Sequence, residues 1–277
     1  MKILITGSNG QLGREIAKQY KEKKDIDLIL TDVSDLDITN VYRVNSFVCE
    51  NKPDVIINCA ALTDVDKCET EIDMAYRINT IGPKNLATAA NQIGAEIIQV
   101  STDYVFSREI NKSLTEFDKV NPETIYGKTK LEGEILVKNH NPKHYIVRTA
   151  WLYGDGNNFV KTMINLSKTN KTLKVVNDQK GTPTSTVDLA RVIIKLVEDK
   201  NYGLFHCTCK GECTWYEFTK EIFRLKGIDT EVLPCTTGEF PRLAKRPEYS
   251  VLRNYMLELT TGDTTRSWQE AICEYLR

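Results

Sequence analysis

Long apolar runs are missing from this sequence of 277 residues. It contains no stretch of about 18 consecutive apolar residues, which is roughly what a membrane-spanning helix requires. The turn at Thr6-Gly7 follows Met1 so closely that no apolar region of a signal peptide fits before it. These two absences predict a cytoplasmic protein without a membrane anchor.

An excess of charge of one sign is missing as well. The 37 basic and 38 acidic residues give a formal net charge of −1 and form no long blocks. The chain therefore has no electrostatic footprint for a nucleic acid or an anionic membrane, and we expect neither as a partner. Eight cysteines occur, and because the cytosol keeps thiols reduced, we expect no disulfide.

The first half does contain a regular alternation of short β-branched apolar runs with helical patterns. Each run has the length of a buried strand, and the repeated strand-helix-strand unit predicts a parallel, doubly wound sheet of the Rossmann type. The predicted strands are residues 2–6, 27–31, 54–58, 96–100 and 143–148, and the predicted helices are 12–23, 41–51, 75–92 and 127–138.

The second half alternates more loosely, with helical patterns at residues 158–168, 187–198 and 214–225. No polar or proline-rich linker separates the halves. We therefore predict an α/β fold with a dinucleotide-binding domain over residues 1–150. A smaller C-terminal α/β lobe over residues 151–277 is predicted to be mainly substrate-binding, and the chain can cross back from it to the sheet.

The first predicted strand runs directly into a glycine-rich turn, GSNGQLG at residues 7–13. Gly7 permits the tight turn, Gly10 lets backbone N–H groups approach a pyrophosphate at the positive end of a helix, and Gly13 lets helix and strand pack closely. The position of this motif between strand and helix predicts a dinucleotide site. Glycines of an ordinary turn are the alternative.

An acidic segment ends the second predicted strand. Asp32 stands 19 residues past Gly13, where a carboxylate can accept hydrogen bonds from the adenosine ribose hydroxyls and would repel a 2′-phosphate. The carboxylate therefore favours NADH, although NADPH stays open. The alternative is that Asp32 merely opens a turn. We also assign Asp37 and Ile38, from the same segment, to the cofactor site.

Tyr126 and Lys130 are four residues apart at the start of a helical pattern, so their side chains project from one face. A neighbouring ammonium ion is expected to lower the pKa of Tyr126 and to allow proton exchange near neutral pH. Thr102 follows the fourth strand, at the sheet edge where ligands bind, and is expected to orient a substrate carbonyl. The alternatives are a solvated helix face for the pair and a loop-capping hydroxyl for Thr102.

Three other features are less specific. Residues 58–61 (Asn-Cys-Ala-Ala) are small enough to let a cofactor lie across the strand tips. Asn79 either braces a backbone carbonyl near the active site or is a surface amide. Cys207, Cys209 and Cys213 suggest a zinc site, but ligands one residue apart in a strand point to opposite faces and no CxxC pair is present, so we predict no metal.

Several longer segments resemble the dTDP-4-dehydrorhamnose reductase family of the extended short-chain dehydrogenase/reductase superfamily. Besides the glycine motif they are PDVIINCAALTDVDKCE at 53–69, STDYVF at 101–106, YGKTKLEGE at 126–134, RTAWLYG at 148–154, NNFVKTM at 157–163, NDQKGTPT at 177–184 and RPEYSVL at 246–252. The resemblance thus runs nearly end to end.

The resemblance implies reduction, by NADH or NADPH, of the C4 ketone of dTDP-4-dehydro-β-L-rhamnose, a dTDP-linked 4-keto-6-deoxy sugar. Tyr126 is implied as proton donor, Lys130 as its assistant and Thr102 as the residue that orients the ketone, with Asp103 and Trp151 beside the sugar. The implied cofactor contacts are Gly10, Gln11, Leu12, Asp32, Ala60, Ala61 and Leu62, to which we add Gly7, Gly13, Tyr126 and Lys130.

Some implications of the resemblance differ between relatives. Leu62 stands where relatives often have His, so one cofactor contact is expected to be apolar. A buried indole of the core is the alternative for Trp151. Family members are often dimers, some with a bridging Mg²⁺, which implies a homodimer here, but we assign no carboxylates to a metal.

Two other functions stay open. One is a reductase or epimerase of another nucleotide sugar, since epimerases retain the same tyrosine and lysine. The other is a non-catalytic, cofactor-binding regulatory subunit that resembles the one of methionine adenosyltransferase. Loss of Tyr126 or Lys130 would favour the second function, but the sequence retains both.

Overall fold

A central parallel sheet organises the computed structural model, which describes residues 1–106 and 112–277. Six strands form it side by side in the order β2-β1-β3-β4-β5-β10. Their bounds are β1 (Lys2–Thr6), β2 (Asp27–Thr31), β3 (Val55–Asn58), β4 (Glu96–Thr102), β5 (His144–Thr149) and β10 (Gly203–His206). The predicted parallel sheet is confirmed, and β4 extends two residues beyond its predicted end.

Helices cover both faces of the sheet, as a doubly wound fold requires. Alternate residues of β1 point to opposite sides: Ile3 and Ile5 pack with α1 and α8, whereas Leu4 packs with α2 and α5. The helices are α1 (Gln11–Lys21), α2 (Val41–Asn51), α3 (Val65–Thr70), α4 (Ile72–Tyr76), α5 (Gly82–Gln92), α6 (Ile125–His140), α7 (Phe159–Ser167), α8 (Thr186–Asp199), α9 (Trp215–Lys226), α10 (Tyr255–Leu259) and α11 (Trp268–Tyr275).

The order of the strands reverses between β1 and β3. From β1 the chain first moves outward to β2 and then returns to place β3 on the other side of β1. Open α/β sheets bind ligands in the crevice outside the strand ends at such a reversal. The topology therefore locates the candidate site where Gly7 and Cys59 follow these two strands.

The single helix predicted over residues 75–92 is wrong in its middle, because a π-helix over Arg77–Ile81 separates α4 from α5. Pro83 lies in the first turn of α5 and has no N–H to donate to the carbonyl of Asn79. That carbonyl instead lies against α6, where a Cβ added to Gly133 would be 2.3 Å from its oxygen. The missing hydrogen bond and this close approach explain the wider turn.

The second half forms a lobe with its own core, in which Tyr153, Phe218 and Trp268 are buried together. However, α8 and β10 return to the sheet domain, where β10 pairs with β5. No helix in the described ranges is long and apolar enough to span a membrane. Three two-stranded ladders complete the lobe: β6 (Leu152–Tyr153) with β9 (Thr184–Ser185), β7 (Thr172–Val176) with β12 (Glu231–Cys235), and β8 (Lys180–Gly181) with β11 (Cys213–Thr214).

Candidate active site

The glycine-rich turn after β1 leaves no space for side chains at two of its positions. Gly7 has φ +64°, and a Cβ there would lie 2.7 Å from the backbone nitrogen of Ala60. A Cβ on Gly13 would lie 2.5 Å from the carbonyl oxygen of Gly7. Among the described residues no side chain caps α1 at Gly10, so its first turn presents backbone N–H groups to the crevice.

Two adjoining cavities, of about 1030 and 760 Å³, follow the crevice across the strand tips. Both are lined by Gly10, Cys59 and Ala61, whose small side chains leave the passage between them open. The smaller cavity lies toward β2, and the larger one extends between the sheet domain and the lobe. The two cavities adjoin at the three shared residues and are together called the cleft.

The smaller cavity is acidic. Its lining includes three residues that the sequence assigned to the cofactor site, Asp32, Asp37 and Ile38. It also includes two residues that sequence reasoning missed, Asp73 and Arg77. Asp32 accepts hydrogen bonds from the backbone of Asn9 at 3.2 Å and of Val33 at 2.8 Å, so it also has the turn-forming role that was its alternative. The missed residues come from α4 and the π-helix, whose approach to β2 no local pattern indicates.

Ala60 and Ala61 also line the cleft, but Leu62 lies outside the lining of both cavities. Its side chain packs instead with the cluster that contains Cys68 and Tyr126. The apolar cofactor contact expected at Leu62 stays a prediction.

Asn79, on the π-helix, braces the backbone of Leu62. Its side-chain oxygen accepts from the Leu62 N–H at 2.9 Å, and its side-chain nitrogen donates to the Leu62 carbonyl at 3.1 Å. The same nitrogen lies 3.3 Å from Thr129 Oγ1 on α6. The bracing role that the sequence left open is therefore the one that the structure has.

Tyr126 and Lys130 both line the larger cavity from the first two turns of α6. Thr124 begins this helix by accepting a hydrogen bond from the Gly127 N–H at 3.0 Å. A Cβ on Gly127 would lie 2.1 Å from the carbonyl oxygen of Tyr104, so glycine allows α6 to start directly against the end of β4. Thr102 and Asp103 line the same cavity from that strand end.

The polar groups at the end of β4 are ordered by hydrogen bonds. Thr102 Oγ1 donates to Asp103 Oδ1 at 2.9 Å and accepts from the Tyr104 N–H at 3.3 Å. Lys130 Nζ donates to the carbonyl oxygen of Val100 at 2.6 Å. Burial raises the pKa of Asp103 to about 6, and the hydrogen bond from Thr102 offsets this only in part.

The pKa of Tyr126 differs from the sequence-based expectation. Burial raises it well above its ordinary value, and burial lowers the pKa of Lys130 to about 8. In the protein alone the pKa of Tyr126 is therefore raised and not lowered, because desolvation of the phenol dominates. The lowering expected from Lys130 together with an oxidised nicotinamide ring stays a prediction. Tyr126 is a neutral phenol at neutral pH in this environment.

Trp151 is neither a core indole nor fully exposed. It has φ +47°, a left-handed conformation that residues other than glycine rarely adopt. Its ring lies on Gly181, where a Cβ would be 2.5 Å away, and stacks on Trp215 with centroids 3.4 Å apart. The two indoles form an aromatic wall of the larger cavity, and Trp215 was missed because nothing in its helical pattern distinguishes it.

A basic segment of the lobe also lines the larger cavity. Phe240, Arg242 and Arg246 contribute to it, and the Arg246 guanidinium donates to Asp66 on α3 at 3.0 Å. Asp66 also accepts from the Ala244 N–H at 2.9 Å. The carboxylate therefore fastens this segment to the sheet domain, a connection that no local sequence signal indicates.

Gln11 links the glycine-rich turn to the lobe. Its side-chain oxygen accepts from the Gly154 N–H at 2.9 Å and from Asn158 Nδ2 at 3.2 Å. Gln11 and Leu12 also line the larger cavity. The start of α1 therefore contacts the segment that follows Trp151 in the chain.

The three cysteines of the suggested zinc site are divided between two cores. All eight are free thiols, and Cys207 lies in the sheet core whereas Cys209 and Cys213 lie in the lobe core. Strand β10 ends at His206, before this cluster. Within residues 1–106 and 112–277, no group of three or more His, Cys, Asp or Glu side chains could hold a metal ion.

Known proteins match this chain over its whole length. It is 41% identical over 277 residues to the spore coat polysaccharide biosynthesis protein SpsK of Bacillus subtilis strain 168, covering 100% of this chain and 97% of that one. It resembles the crystal structure of a dTDP-4-dehydrorhamnose reductase from Clostridium acetobutylicum ATCC 824, with 71% identity, TM-score 0.99 and coverage of 100% and 98%.

A third match is the dTDP-4-dehydrorhamnose reductase of Bacillus anthracis strain Ames in complex with NADP, with 43% identity, TM-score 0.95 and coverage of 99% and 98%. The family described as the RmlD substrate binding domain matches residues 1–277. By this match over the full sequence, together with the shared fold, the chain belongs to the RmlD substrate binding domain family.

Proposed function

We propose that this protein reduces the C4 ketone of dTDP-4-dehydro-β-L-rhamnose to dTDP-β-L-rhamnose with NADH or NADPH. The observation that carries the proposal is a single cleft in which the glycine-rich turn, Thr102, Tyr126 and Lys130 face one another. Relatives that match the whole chain are named dTDP-4-dehydrorhamnose reductase, and one of them was crystallised with NADP.

The cleft fits a dinucleotide. The uncapped start of α1 suits a pyrophosphate, Asp32 suits the hydroxyls of a ribose, and Cys59 and Ala61 leave the strand tips open. When bound, the reduced nicotinamide supplies a hydride. Asp32, Asp37 and Asp73 in the lining of the smaller cavity suit a ribose without a 2′-phosphate, whereas Arg77 in the same lining suits a 2′-phosphate. The lining therefore fits both NADH and NADPH.

Tyr126 is the proposed proton donor. Its phenol is protonated at neutral pH, as for an ordinary tyrosine, and burial raises its pKa further. The protonated phenol is the form that must give a proton to the oxygen of a ketone under reduction. Thr102 lies at the adjoining strand end. With substrate bound, its hydroxyl is proposed to donate its one hydrogen bond to the same oxygen in place of Asp103 Oδ1. Lys130, as an ammonium ion, is proposed to contact the nicotinamide ribose and to stabilise the phenolate that remains.

The far side of the cleft suits an anionic nucleotide sugar. The stacked pair Trp151 and Trp215 gives the larger cavity an aromatic wall for a deoxysugar, and Asp103 lines the same cavity. Arg242 and Arg246 line the same cavity, and guanidinium groups pair well with phosphate oxygens. This combination of aromatic and cationic walls supports a substrate that carries both a sugar and a diphosphate.

The test is the oxidation of NADH and NADPH by purified protein with freshly prepared dTDP-4-dehydrorhamnose. We expect dTDP-L-rhamnose as product and no oxidation by Tyr126→Phe. Cofactor binding without oxidation would instead point first to another keto sugar and then to the regulatory-subunit function. A cytoplasmic location, a homodimer and the domain division at residue 150 remain predictions, and the homodimer is checked by the solution mass.

A further inference from the structure

A buried ion pair lies behind Tyr126 and Lys130. Glu134 on α6 and Arg148 on β5 are only 4% and 3% exposed. Arg148 donates from Nε to Oε1 at 2.9 Å and from Nη2 to Oε2 at 2.7 Å. The Ser101 hydroxyl on β4 also donates to Oε1. One carboxylate thus joins α6 to two neighbouring strands.

The geometry connects this ion pair to Lys130 in two ways. Tyr126, Lys130 and Glu134 are spaced by four residues and lie on one buried face of α6. Lys130 Nζ is held by the carbonyl of Val100, and the next residue, Ser101, is held by Glu134. Glu134 therefore fixes both the helical turn after Lys130 and the strand segment that accepts its ammonium group.

The other titratable groups around Lys130 bring little negative charge. Glu134 opposes the loss of the Lys130 proton that burial favours. The thiols of Cys59 at the end of β3 and Cys68 in α3 also face Lys130, but burial raises their pKa to about 12 and about 11. The Tyr126 phenol is neutral as well. Between pH 7 and 9 the two thiols and the phenol are therefore uncharged and provide no negative charge to the Lys130 ammonium group.

Two more charged groups face the cluster from the strands. Arg148 on β5 neutralises Glu134, and Asp103 at the end of β4 faces Tyr126. Arg148, Glu134 and Lys130 together carry a buried net charge of one positive unit, since the first two cancel. Without the carboxylate, two buried cations would remain, and Lys130 is the one that can release its proton.

We propose that Glu134 is a positioning residue that keeps Lys130 as an ammonium ion directed at the catalytic tyrosine, with Arg148 moderating its charge. The inference rests on the proposed function, because it takes Lys130 as part of the reaction. A residue that merely joined α6 to the sheet would affect folding but would leave the titration of Lys130 unchanged.

The experiment compares Glu134→Gln with Arg148→Met and with Glu132→Gln, an exposed carboxylate on the same helix. The first readout is the pH profile of kcat/KM. We expect its upper limb to move down by about 0.5 to 1 pH unit in Glu134→Gln, to move up in Arg148→Met, and to stay in place in Glu132→Gln. Circular dichroism confirms that each variant is folded.

The second readout needs no activity. The protein is labelled with ¹³C-lysine without cofactor, the Lys130 signal is assigned with Lys130→Met, and its titration is followed by NMR in the same variants. Absence of turnover by the wild type would refute the proposed function alone, since this titration still tests Glu134. An unmoved Lys130 titration in folded Glu134→Gln, or an equal shift in Glu132→Gln, overturns the inference. If Glu134→Gln does not fold, the Lys130 titration in Arg148→Met is the test. An upward shift of the Lys130 pKa supports the inference, and an unchanged or lower pKa overturns it.

Discussion

At the scale of single residues, Tyr126 illustrates how burial raises the pKa of a phenol. Its hydroxyl lies in the cleft while its ring packs against Tyr104, with centroids 5.4 Å apart. Sequence spacing correctly placed Tyr126 and Lys130 on one helix face. The sign of the pKa shift was not accessible in this way, because it depends on how completely the surrounding elements exclude water from the phenol.

Replacement of Tyr126 by Phe removes the hydroxyl and leaves the ring packing in place. We expect turnover to fall by at least about 100-fold, since a positioned general acid contributes roughly 100- to 10,000-fold. NADH affinity should change by less than about twofold, because the hydroxyl matters mainly when the alkoxide forms. Steady-state kinetics and calorimetric titration with NADH measure the two effects. Turnover close to that of the wild type would exclude the role.

His206 couples stability to pH at a site away from the cleft. It is fully buried, its Nδ1 lies 3.2 Å from the carbonyls of Leu114 and Arg253, and burial lowers its pKa to about 3, with repulsion from Arg148 adding to the effect. The unfolded chain has an ordinary pKa near about 6.5 and takes up the proton first. The native state therefore loses stability as the pH falls below about 6.5.

By pH 5 this loss amounts to about 2 kcal/mol in the free energy of unfolding. Between pH 7.5 and pH 5.0, we expect the free energy of unfolding of the wild type to fall by about 2 kcal/mol more than that of His206→Asn. Urea unfolding at the two pH values measures this difference. Asp103 titrates in the same range, but it does so in both proteins, and its effect cancels in the comparison. Equal losses in the two proteins would show that His206 is not the group responsible.

At the scale of elements, the contact between α6 and the π-helix sets the position of the catalytic residues. Gly133 allows α6 to approach the carbonyl of Asn79, and Asn79 in turn holds the loop at Leu62. The sequence revealed the helix but not its π turn, although Pro83 gives the necessary signal once its missing N–H is considered. Hydrophobic periodicity alone does not indicate that one turn of a helix is a π turn.

Gly133→Ala should therefore destabilise the protein despite the better helix propensity of alanine, which is worth about 1 kcal/mol. A Cβ at 2.3 Å from the Asn79 oxygen forces backbone to move, and such overpacking costs about 1 to 3 kcal/mol. We expect a net loss of about 1 kcal/mol in chemical unfolding and a lower kcat. Gly238→Ala is the matched control, since a Cβ there has its nearest neighbour at 3.8 Å. Equal stability of the two variants would contradict this account.

At the scale of the whole molecule, the sheet domain and the lobe meet at Gln11. The order and type of most elements followed from the alternation of strands and helices. Contacts between distant segments did not, and these include Asp66 with Arg246 and Gln11 with Gly154. Such pairs are determined by how the lobe packs on the sheet, which local patterns do not encode.

The Gln11 contact predicts a coupling between cofactor and nucleotide binding. Ordering of the glycine-rich turn by NADH would also order Gly154 and Asn158, and thereby the lobe. NADH is expected to increase the affinity for dTDP in the wild type. We expect this increase to be about fivefold smaller in Gln11→Ala, since one hydrogen bond contributes about 1 kcal/mol. Calorimetric titrations of each ligand with and without the other measure this gain.

Gln92→Ala, which changes an exposed glutamine at the end of α5, is the control for that coupling. It should bind both ligands as the wild type does. If the Gln11→Ala variant retains the full gain in affinity, the contact between α1 and the lobe does not transmit the effect.

The return of α8 and β10 to the sheet has a consequence for protein engineering. A fragment that ends at residue 150 would expose the edge of β5 and remove α8, which packs beside α1. Segments of the sheet domain and of the lobe therefore alternate along the chain. Neither part can be exchanged between relatives as one continuous segment. A chimera that takes its substrate specificity from a relative should instead exchange the lobe segments separately. It should retain α8, β10, Cys207 and α10 with the host sheet, because Cys207 and Leu257 pack in the sheet core.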